Sequence, residues 1–346
     1  MVVGAAAMLL AGMAAATTST TARENPAPGP APSGPVRQGS GRPIVVDTDM
    51  APEDAAAVLY LLQRDDVSVK AITVVGTGEV HCGPGVRNAR GLLALAGHVQ
   101  VPVACGRENP FDGGHSFPED WRRGSDTLQG VALPAGNGTD PGVSAPELIA
   151  ELAEQYSGKL ELIALGPLTN LADALQSGTD LSGDLHAIYA MGGAVEVAGN
   201  VAEAPTAEWN FYADPRAASI VVTSDLPLTL VPLDATNYVP VDAAFVDRLG
   251  REKATPQADF VYRLLKASDG LIAEGGYCFW DTFSAALMTD NSLGTFRDIP
   301  LQVVEGGPES GRTAPNPGGK TTRVAVTADP DRFKQALIDA LNAHGR

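Results

Sequence analysis

The chain has 346 residues, of which 44% are hydrophobic, enough for one large domain or two small ones. Its 24 basic and 41 acidic residues give a formal net charge of −17. An acidic excess of this size argues against binding to the phosphate backbone of nucleic acids. Aromatic residues make up only 5% of the chain, which disfavours an aromatic-rich binding module.

The N-terminal segment differs from the rest. Residues 2–16 form an apolar run with the length of a signal-peptide core, which is short for a membrane span. Residues 23–42 are rich in Pro, Gly and Ser, a composition typical of disordered linkers. We therefore predict a signal peptide over residues 1–22, a linker over 23–42 and a secreted protein without membrane attachment after cleavage. The alternative is a cytoplasmic enzyme with an Ala-rich leader.

From residue 43 onward, short apolar runs alternate with longer segments of helical periodicity. This alternation predicts βαβ units and hence an α/β fold: an open, mostly parallel, Rossmann-like central sheet flanked by helices. No break in composition follows residue 43, so we predict a single domain over 43–346. Residues 106–143 hold many Gly, Pro and Asp and lack a clear periodicity, which predicts a lid, a binding loop or an insertion. The predicted strands are 44–46, 67–75, 160–165, 186–191 and 226–231, and the predicted helices are 54–63, 86–96, 145–156, 168–176, 215–222, 282–288 and a final one over 329–344.

A cluster of carboxylates follows the first predicted strand. Asp47, Asp49, Glu53 and Asp54 fall within eight residues, with no Lys or Arg among them. Pro52 and the two acids after it are typical of the first turn of a helix. The cluster is thus expected at the carboxyl end of the strand, where open α/β sheets bind ligands. A hard, oxygen-seeking cation would relieve the repulsion, whereas the alternative is an acidic loop with a helix cap.

Three cysteines, Cys82, Cys105 and Cys278, match no zinc-binding spacing. In an exported protein Cys82 could pair with Cys105 and leave one cysteine over. Cys278 lies in an apolar stretch and is expected to be a small buried hydrophobe rather than a nucleophile.

The acidic cluster resembles the Asp-x-Asp-x-x-x-Asp-Asp signature of the inosine–uridine-preferring nucleoside hydrolases. Further blocks in the same order resemble that family. Together they cover residues 43 to about 290, so several independent motifs carry the resemblance. These blocks are Ala164–Ala172 (ALGPLTNLA), Met191–Ala194 (MGGA), Gly199–Asn200, Ala207–Pro215 (AEWNFYADP) and Phe279–Asp281 (FWD).

The resemblance assigns a role to each residue. It implies a Ca²⁺ ion held by the carboxylates of Asp49, Asp54 and Asp281 and by the backbone carbonyl of Leu165, with Asp47 in a supporting role. Oxygen ligands of this kind suit calcium. The ribose hydroxyls would be held by Glu53, Asn200, Glu208 and Asn210.

Glu208 and Asn210 are two residues apart, so on an extended segment both side chains would face the same side.

Three positions depart from the family pattern. Glu53 stands where Asp is usual, Thr77 where Asn is common, and Trp280 where His often precedes the last Asp. Some purine-preferring members carry Trp there and stack the base on it, so Trp280 is a candidate base-binding residue. The alternative is that Trp280 packs beside the metal.

The implied reaction is hydrolysis of the N-glycosidic bond of a ribonucleoside. A metal-bound water would attack the anomeric carbon, with Asp49 as general base. Trp121 or Arg123, both in the segment 106–143, could stabilise the leaving base. The alternative is that they are solvated surface residues. The small-molecule substrate is the expected partner, and family members are often oligomeric, so a homo-oligomer is also expected.

Three alternatives remain open from the sequence. A different N-riboside could be the substrate. Glu53 and Thr77 would permit a calcium-dependent protein that binds a ribosyl ligand without turnover. Asp47-Thr48-Asp49 also resembles the start of a haloacid-dehalogenase-type phosphatase, although that leaves Glu208, Asn210 and Asp281 unexplained.

Overall fold

The computed structural model describes residues 41–112, 114–178 and 180–343. The predicted signal peptide and nearly all of the predicted linker lie outside the described residues. The first strand begins at Arg42, one residue inside the predicted linker. No helix within the described ranges is both long and apolar enough to cross a membrane.

The centre of the described structure is one sheet with the strand order β3-β2-β1-β4-β5-β6-β9-β7-β8. Neighbouring strands are parallel from β3 as far as the β6–β9 pair, whereas β7 runs antiparallel to both β9 and β8. The strands are β1 (Arg42–Thr48), β2 (Val67–Val74), β3 (Val103–Cys105), β4 (Leu160–Ala164), β5 (Leu185–Met191), β6 (Leu228–Val231), β7 (Gly294–Val303), β8 (Thr313–Pro315) and β9 (Lys320–Ala328).

Helices connect the strands. Those that follow β1, β2 and β4 return the chain to the start of a parallel neighbour, as a βαβ unit requires. They are α1 (Pro52–Leu62), α2 (Cys82–Ala96), α3 (Glu119–Ser125), α4 (Ala145–Gln155), α5 (Thr169–Gln176), α6 (Trp209–Ala213), α7 (Pro215–Thr223), α8 (Leu233–Thr236), α9 (Ala243–Glu252), α10 (Pro256–Ala267), α11 (Asp269–Ala273), α12 (Trp280–Thr289) and α13 (Pro330–Leu341). Short 3₁₀ turns cover Leu128–Gly130 and Asn291–Leu293.

Two apolar layers cover the two faces of the sheet. Ile44 and Val46 of β1 pack into one layer, and Val45 between them packs into the other. All three side chains are fully buried, which explains why β1 reads as a continuous apolar run rather than an alternating one. The sheet therefore cannot slip without exposing one of the layers, and its carboxyl edge is fixed in place.

The structure confirms the predicted α/β fold with a mostly parallel sheet flanked by helices. The sequence prediction missed β3, β7, β8 and β9, because β3 and β8 have only three residues each and β7 and β9 mix polar with apolar residues. Residues 106–143 contain α3 and a 3₁₀ turn within otherwise irregular backbone.

The cysteine pairing left open by the sequence is present in the structure. Cys82, at the start of α2, forms a disulfide with Cys105, at the end of β3. Cys278 is a free, half-buried thiol, and burial raises its pKa to about 11, so it is a poor nucleophile at neutral pH.

Candidate active site

The predicted carboxylates lie at the carboxyl edge of the parallel strands. β1 delivers Asp47 within the strand and Asp49 just past its end, and α1 presents Glu53 and Asp54 in its first turn. Pro52 occupies the start of α1, where a missing N–H costs nothing. The structure therefore confirms the predicted arrangement of strand, turn and helix around the acidic cluster.

A strained turn holds Asp49. Met50 is fully buried and has φ of 54°, a left-handed conformation that is unfavourable for a side chain of this kind. A Cβ placed on Gly78 would lie 2.2 Å from the Asp49 Cβ, and one on Gly166 would lie 2.8 Å from it. Asp49 Oδ2 accepts a hydrogen bond from the Glu79 N–H at 2.9 Å. Glycines on two neighbouring loops thus leave room for this carboxylate, and a backbone amide orients it.

Asp54 and Asp281 face each other from α1 and α12. Both are buried, and repulsion from Asp281 is, after burial itself, the largest effect that raises the pKa of Asp54. Thr48 donates a short hydrogen bond to Asp54 Oδ1, but Asp54 Oδ2 and Asp281 Oδ1 have no hydrogen-bond partner. Buried oxygens without a partner are costly and call for a compensating positive charge.

One carboxylate oxygen of Asp47 accepts hydrogen bonds from neutral donors. Its Oδ1 accepts hydrogen bonds from Thr73 Oγ1 and Asn170 Nδ2, each at 2.7 Å. Asn170 also donates to the Val74 carbonyl, so it ties the end of β2 to β1. These contacts agree with the supporting role predicted for Asp47.

Burial dominates the electrostatics of the cluster. It raises the pKa of Asp47 and Asp49 to about 7 and that of Glu53 to about 8. The pKa values of Asp54 and Asp281 also lie well above the ordinary range, first because of burial and then because of neighbouring carboxylates. No described Lys or Arg forms an ion pair with any of these five side chains, so the site is set up to receive positive charge.

The carboxylates do not converge on a single point. In the described ranges, no group of three or more His, Cys, Asp or Glu side chains has the geometry to hold a metal ion as it stands. The sequence-predicted ligands therefore share one region, but the structure does not bring them into a coordination sphere.

Glu208 and Asn210 lie together for a different reason from the one predicted. Asn210 is in α6 and Glu208 caps that helix, so the segment is not extended and the two-residue spacing argument was wrong. Glu208 Oε1 accepts from the Asn210 N–H at 2.9 Å, and its Oε2 accepts from the N–H groups of Gly193 at 2.9 Å and Phe211 at 3.3 Å. The helix cap fixes the carboxylate in a buried position with a pKa raised to about 7, chiefly by burial.

The Asn210 side chain contacts the predicted carbonyl ligand. Its Nδ2 lies 3.3 Å from the carbonyl oxygens of both Leu165 and Met191, at the ends of β4 and β5. Asn200 lies beside this pair, because its Oδ1 accepts from the Trp209 N–H at 3.1 Å. Leu165, Asn200, Glu208 and Asn210 therefore form one connected wall of the site.

Glu53 and Trp280 are connected through Tyr277. Tyr277 donates a long hydrogen bond of 3.5 Å to Glu53 Oε2, and its ring packs edge-on against Trp280 at 5.6 Å between centroids. Trp280 is half-buried, and its Nε1–H has no hydrogen-bond partner. Trp280 therefore offers an aromatic ring and a free N–H near the carboxylates, which agrees with its predicted role in binding the base.

Sequence reasoning missed Glu79 and Tyr277. Burial and the nearby Asp49 raise the pKa of Glu79 to about 7, and Ser125 of α3 donates to its Oε1 at 2.6 Å. α3 also holds the same loop through Arg122, which donates to the carbonyls of Gly76 and Val80. The sequence places Glu79 just after the predicted strand 67–75, but only the structure shows that the carboxyl end of β2 adjoins that of β1.

The two loop candidates for the leaving base differ. Trp121 is 41% exposed and packs against Trp209 at 5.3 Å between ring centroids, so it adjoins the wall formed by Glu208 and Asn210. Arg123 points to solvent in an exposed ion pair with Glu119. The structure therefore favours Trp121 over Arg123 as a neighbour of the substrate.

Comparisons with known proteins identify the class that this fold and site define. The family model for inosine–uridine-preferring nucleoside hydrolases matches residues 44–335. The chain belongs to this nucleoside hydrolase family.

Individual relatives agree with this assignment. The chain is 34% identical over 215 residues to uridine nucleosidase 1 of Arabidopsis thaliana, an alignment that spans 62% of this chain and 63% of that protein. It is 35% identical over 224 residues to a pyrimidine-specific ribonucleoside hydrolase of Shewanella sp. strain ANA-3, spanning 65% of this chain and 69% of that one. The alignment thus covers just under two thirds of the plant relative's length.

Solved structures extend the likeness over nearly whole chains. A plant nucleoside hydrolase superposes with a TM-score of 0.80 at 26% identity, covering 88% of this chain and 99% of that one. A purine-preferring ribonucleoside hydrolase from Gardnerella vaginalis gives a TM-score of 0.78 at 26% identity, covering 87% and 98%.

The cap formed by Glu208 generates a stability prediction. Glu208→Ala would leave three backbone N–H groups without their acceptor, and each unsatisfied buried donor costs about 1–3 kcal/mol. We expect the free energy of unfolding, measured by urea denaturation, to fall by about 3 kcal/mol or more. The matched control is Glu203→Ala, which removes an exposed carboxylate from the same segment and should change it by less than about 0.5 kcal/mol. Equal losses in the two variants would contradict the capping role.

Proposed function

We propose that this protein hydrolyses the N-glycosidic bond of ribonucleosides to give the free base and ribose. The observation that carries the proposal is the unpaired carboxylate cluster at the carboxyl edge of β1, flanked by the wall of Glu208 and Asn210. Membership of the nucleoside hydrolase family and the names of its relatives support the same reaction.

We propose Ca²⁺ as the cofactor. Asp49, Asp54 and Asp281 would hold it with the Leu165 carbonyl, because these oxygens are hard ligands and two of them, Asp54 Oδ2 and Asp281 Oδ1, are buried without a partner. Small side-chain rotations would have to close the site, since the carboxylates do not converge as they stand. When bound, such an ion supplies positive charge among the acids and lowers the pKa of a coordinated water.

The protein residues supply the rest of the chemistry. Asp49, oriented by the Glu79 N–H, accepts the proton of the water that attacks the anomeric carbon. Glu53 on one side, and Asn200, Glu208 and Asn210 on the other, hold the ribose hydroxyls. The buried carboxylates also favour the positive charge that develops on the sugar as the bond to the base breaks. Attack by one positioned water predicts inversion at the anomeric carbon.

We further propose that residues 43–346 form the catalytic domain, that residues 1–22 are a signal peptide and 23–42 a linker, and that the protein is secreted. The apolar run at residues 2–16 and the Cys82–Cys105 disulfide support export, since disulfides persist in oxidising compartments. A homo-oligomer is proposed only on the family resemblance.

A second candidate function is calcium-dependent binding of a ribosyl ligand without turnover. Glu53 favours it, because a carboxylate one methylene longer than the family's usual Asp could displace the sugar from the attacking water. Another N-riboside remains a candidate substrate, because the base side of the site is formed by residues such as Trp121 and Trp280. Family membership argues against the phosphatase alternative.

The central experiment is a panel of inosine, uridine and other N-ribosides, with release of reducing sugar measured with and without EDTA. We expect multiple turnovers that EDTA abolishes and Ca²⁺ restores. Saturable binding without free ribose would establish the binding protein instead, and activity that survives full chelation would overturn the metal-dependent mechanism.

Asp49→Asn tests the general base directly. It keeps the shape of the side chain but removes the proton acceptor, so kcat should fall by about 10²–10⁴-fold, the usual contribution of general-base catalysis. The control, Asp65→Asn, neutralises an exposed acid beyond α1 and should leave kcat unchanged. Substantial residual rate in the Asp49 variant would reject its assignment.

Trp280→Ala tests base recognition. If Trp280 stacks on the base, kcat/KM should fall more for inosine than for uridine, by roughly 2–10-fold for the lost aromatic contact. Trp280→Phe retains an aromatic face and should recover most of the difference. An equal loss on both nucleosides in Trp280→Ala would show that Trp280 packs beside the site without selecting the base.

A further inference from the structure

A second concave site lies away from the carboxylate cluster. It is a cavity of about 360 Å³ between α2 and the segment 127–136. Two of its lining residues are Arg87 and Arg90, and none is Asp or Glu. In a chain with 41 acidic and 24 basic residues, a cavity of this composition is locally positive where the protein as a whole is negative.

The two arginines lack the ion pairs that most arginines of this chain form. Arg42, Arg64 and Arg107, for example, each lie within 4.0 Å of a carboxylate. Among the described residues, neither Arg87 nor Arg90 has an acidic partner, and the buried Nε of Arg90 has no hydrogen-bond partner. Because they are three residues apart on one helix, they are neighbours and repel each other. An anion in the cavity would remove that cost.

The loop opposite α2 holds Arg90 in place. A Cβ on Gly136 would lie 2.0 Å from the Arg90 carbonyl oxygen, and one on Gly138 would lie 2.7 Å from the Arg90 Cγ. Glycines therefore let the loop lie directly on the backbone and aliphatic stem of this residue. A side chain restricted in advance loses less entropy when it binds a ligand.

Apart from the polar Asn88 and Thr127, the remaining lining residues are apolar, and the wall includes strained backbone. Leu128, Val131 and Leu133 line the cavity beside the arginines. Leu128 and Gln129 have φ of 47° and 53°, and Gly130 continues the left-handed turn at 80°. Consecutive non-glycine residues in this conformation are unfavourable, and such strain clusters at functional sites of several kinds.

We propose that this cavity binds an organic phosphate monoester. Arginine donates paired hydrogen bonds to phosphate oxygens, and Arg87 and Arg90 both line this cavity. The apolar side chains give the organic body of the ligand a surface to cover. The site is distinct from the nucleoside site and goes beyond the proposed hydrolysis.

Isothermal titration of the full, calcium-loaded protein with phenyl phosphate tests the proposal. Phenol tests whether the organic group alone binds, and sodium sulfate tests whether an inorganic dianion alone binds. We expect phenyl phosphate to bind, phenol not to bind, and sulfate to bind more weakly because it leaves the apolar wall uncovered. Binding of sulfate as tight as that of phenyl phosphate would assign the site to inorganic anions and overturn the monoester.

Variants locate the binding. Arg87→Ala/Arg90→Ala should weaken the binding of phenyl phosphate by at least about 10²-fold, because two charged hydrogen-bond donors are lost. Lys159→Ala/Arg251→Ala removes two exposed cations elsewhere that form no ion pair with any described residue, and it should leave binding unchanged. Arg87→Lys/Arg90→Lys keeps the charge and the fold and should give an intermediate affinity. The proposal fails if the wild-type protein does not bind phenyl phosphate. It also fails if the two double-alanine variants lose affinity for it equally.

Discussion

The structure depends on one electrostatic constraint: several carboxylates are buried together without a basic partner. Asp47, Asp49, Asp54 and Asp281 are each at most 4% exposed, and no described Lys or Arg pairs with them. Burial of unpaired charge is among the largest costs in a folded protein. A fold that keeps such a cluster must either protonate it or bring positive charge to it, and the proposed Ca²⁺ ion together with a developing ribosyl cation would do the latter.

The rest of the fold places these acids and keeps them apart. The parallel sheet brings the carboxyl ends of β1, β2, β4 and β5 to one edge, so that loops distant in sequence meet there. Backbone amides then fix the individual carboxylates. The Glu79 N–H orients Asp49, and the start of α6 orients Glu208. The strained Met50 is the local cost of turning the chain directly from the strand into α1.

Much of this was predictable from the sequence, for identifiable reasons. β1 and α1 are marked by an apolar run and by Pro52 with acids in a first turn, both of which are local signals. The pairing of Glu208 with Asn210 was predicted on the wrong geometry, because a five-residue helix has too few turns to show periodicity. Glu79 and Tyr277 escaped notice because only the sheet order and the position of α12 bring them to the site. β8 is only three residues long, and β7 and β9 mix polar with apolar residues, so neither the length nor the pattern of these segments predicts a strand.

Calcium titration of metal-stripped protein tests the central claim most directly. We predict that isothermal calorimetry will show a single ion bound per chain, and that Asp54→Asn and Asp281→Asn will each weaken it at least about tenfold by removing an anionic ligand. Asp65→Asn, which alters an exposed acid, should bind calcium like the wild type. Absence of calcium binding, or binding that neither Asp54→Asn nor Asp281→Asn affects, would contradict the claim that this cluster exists to hold a cation.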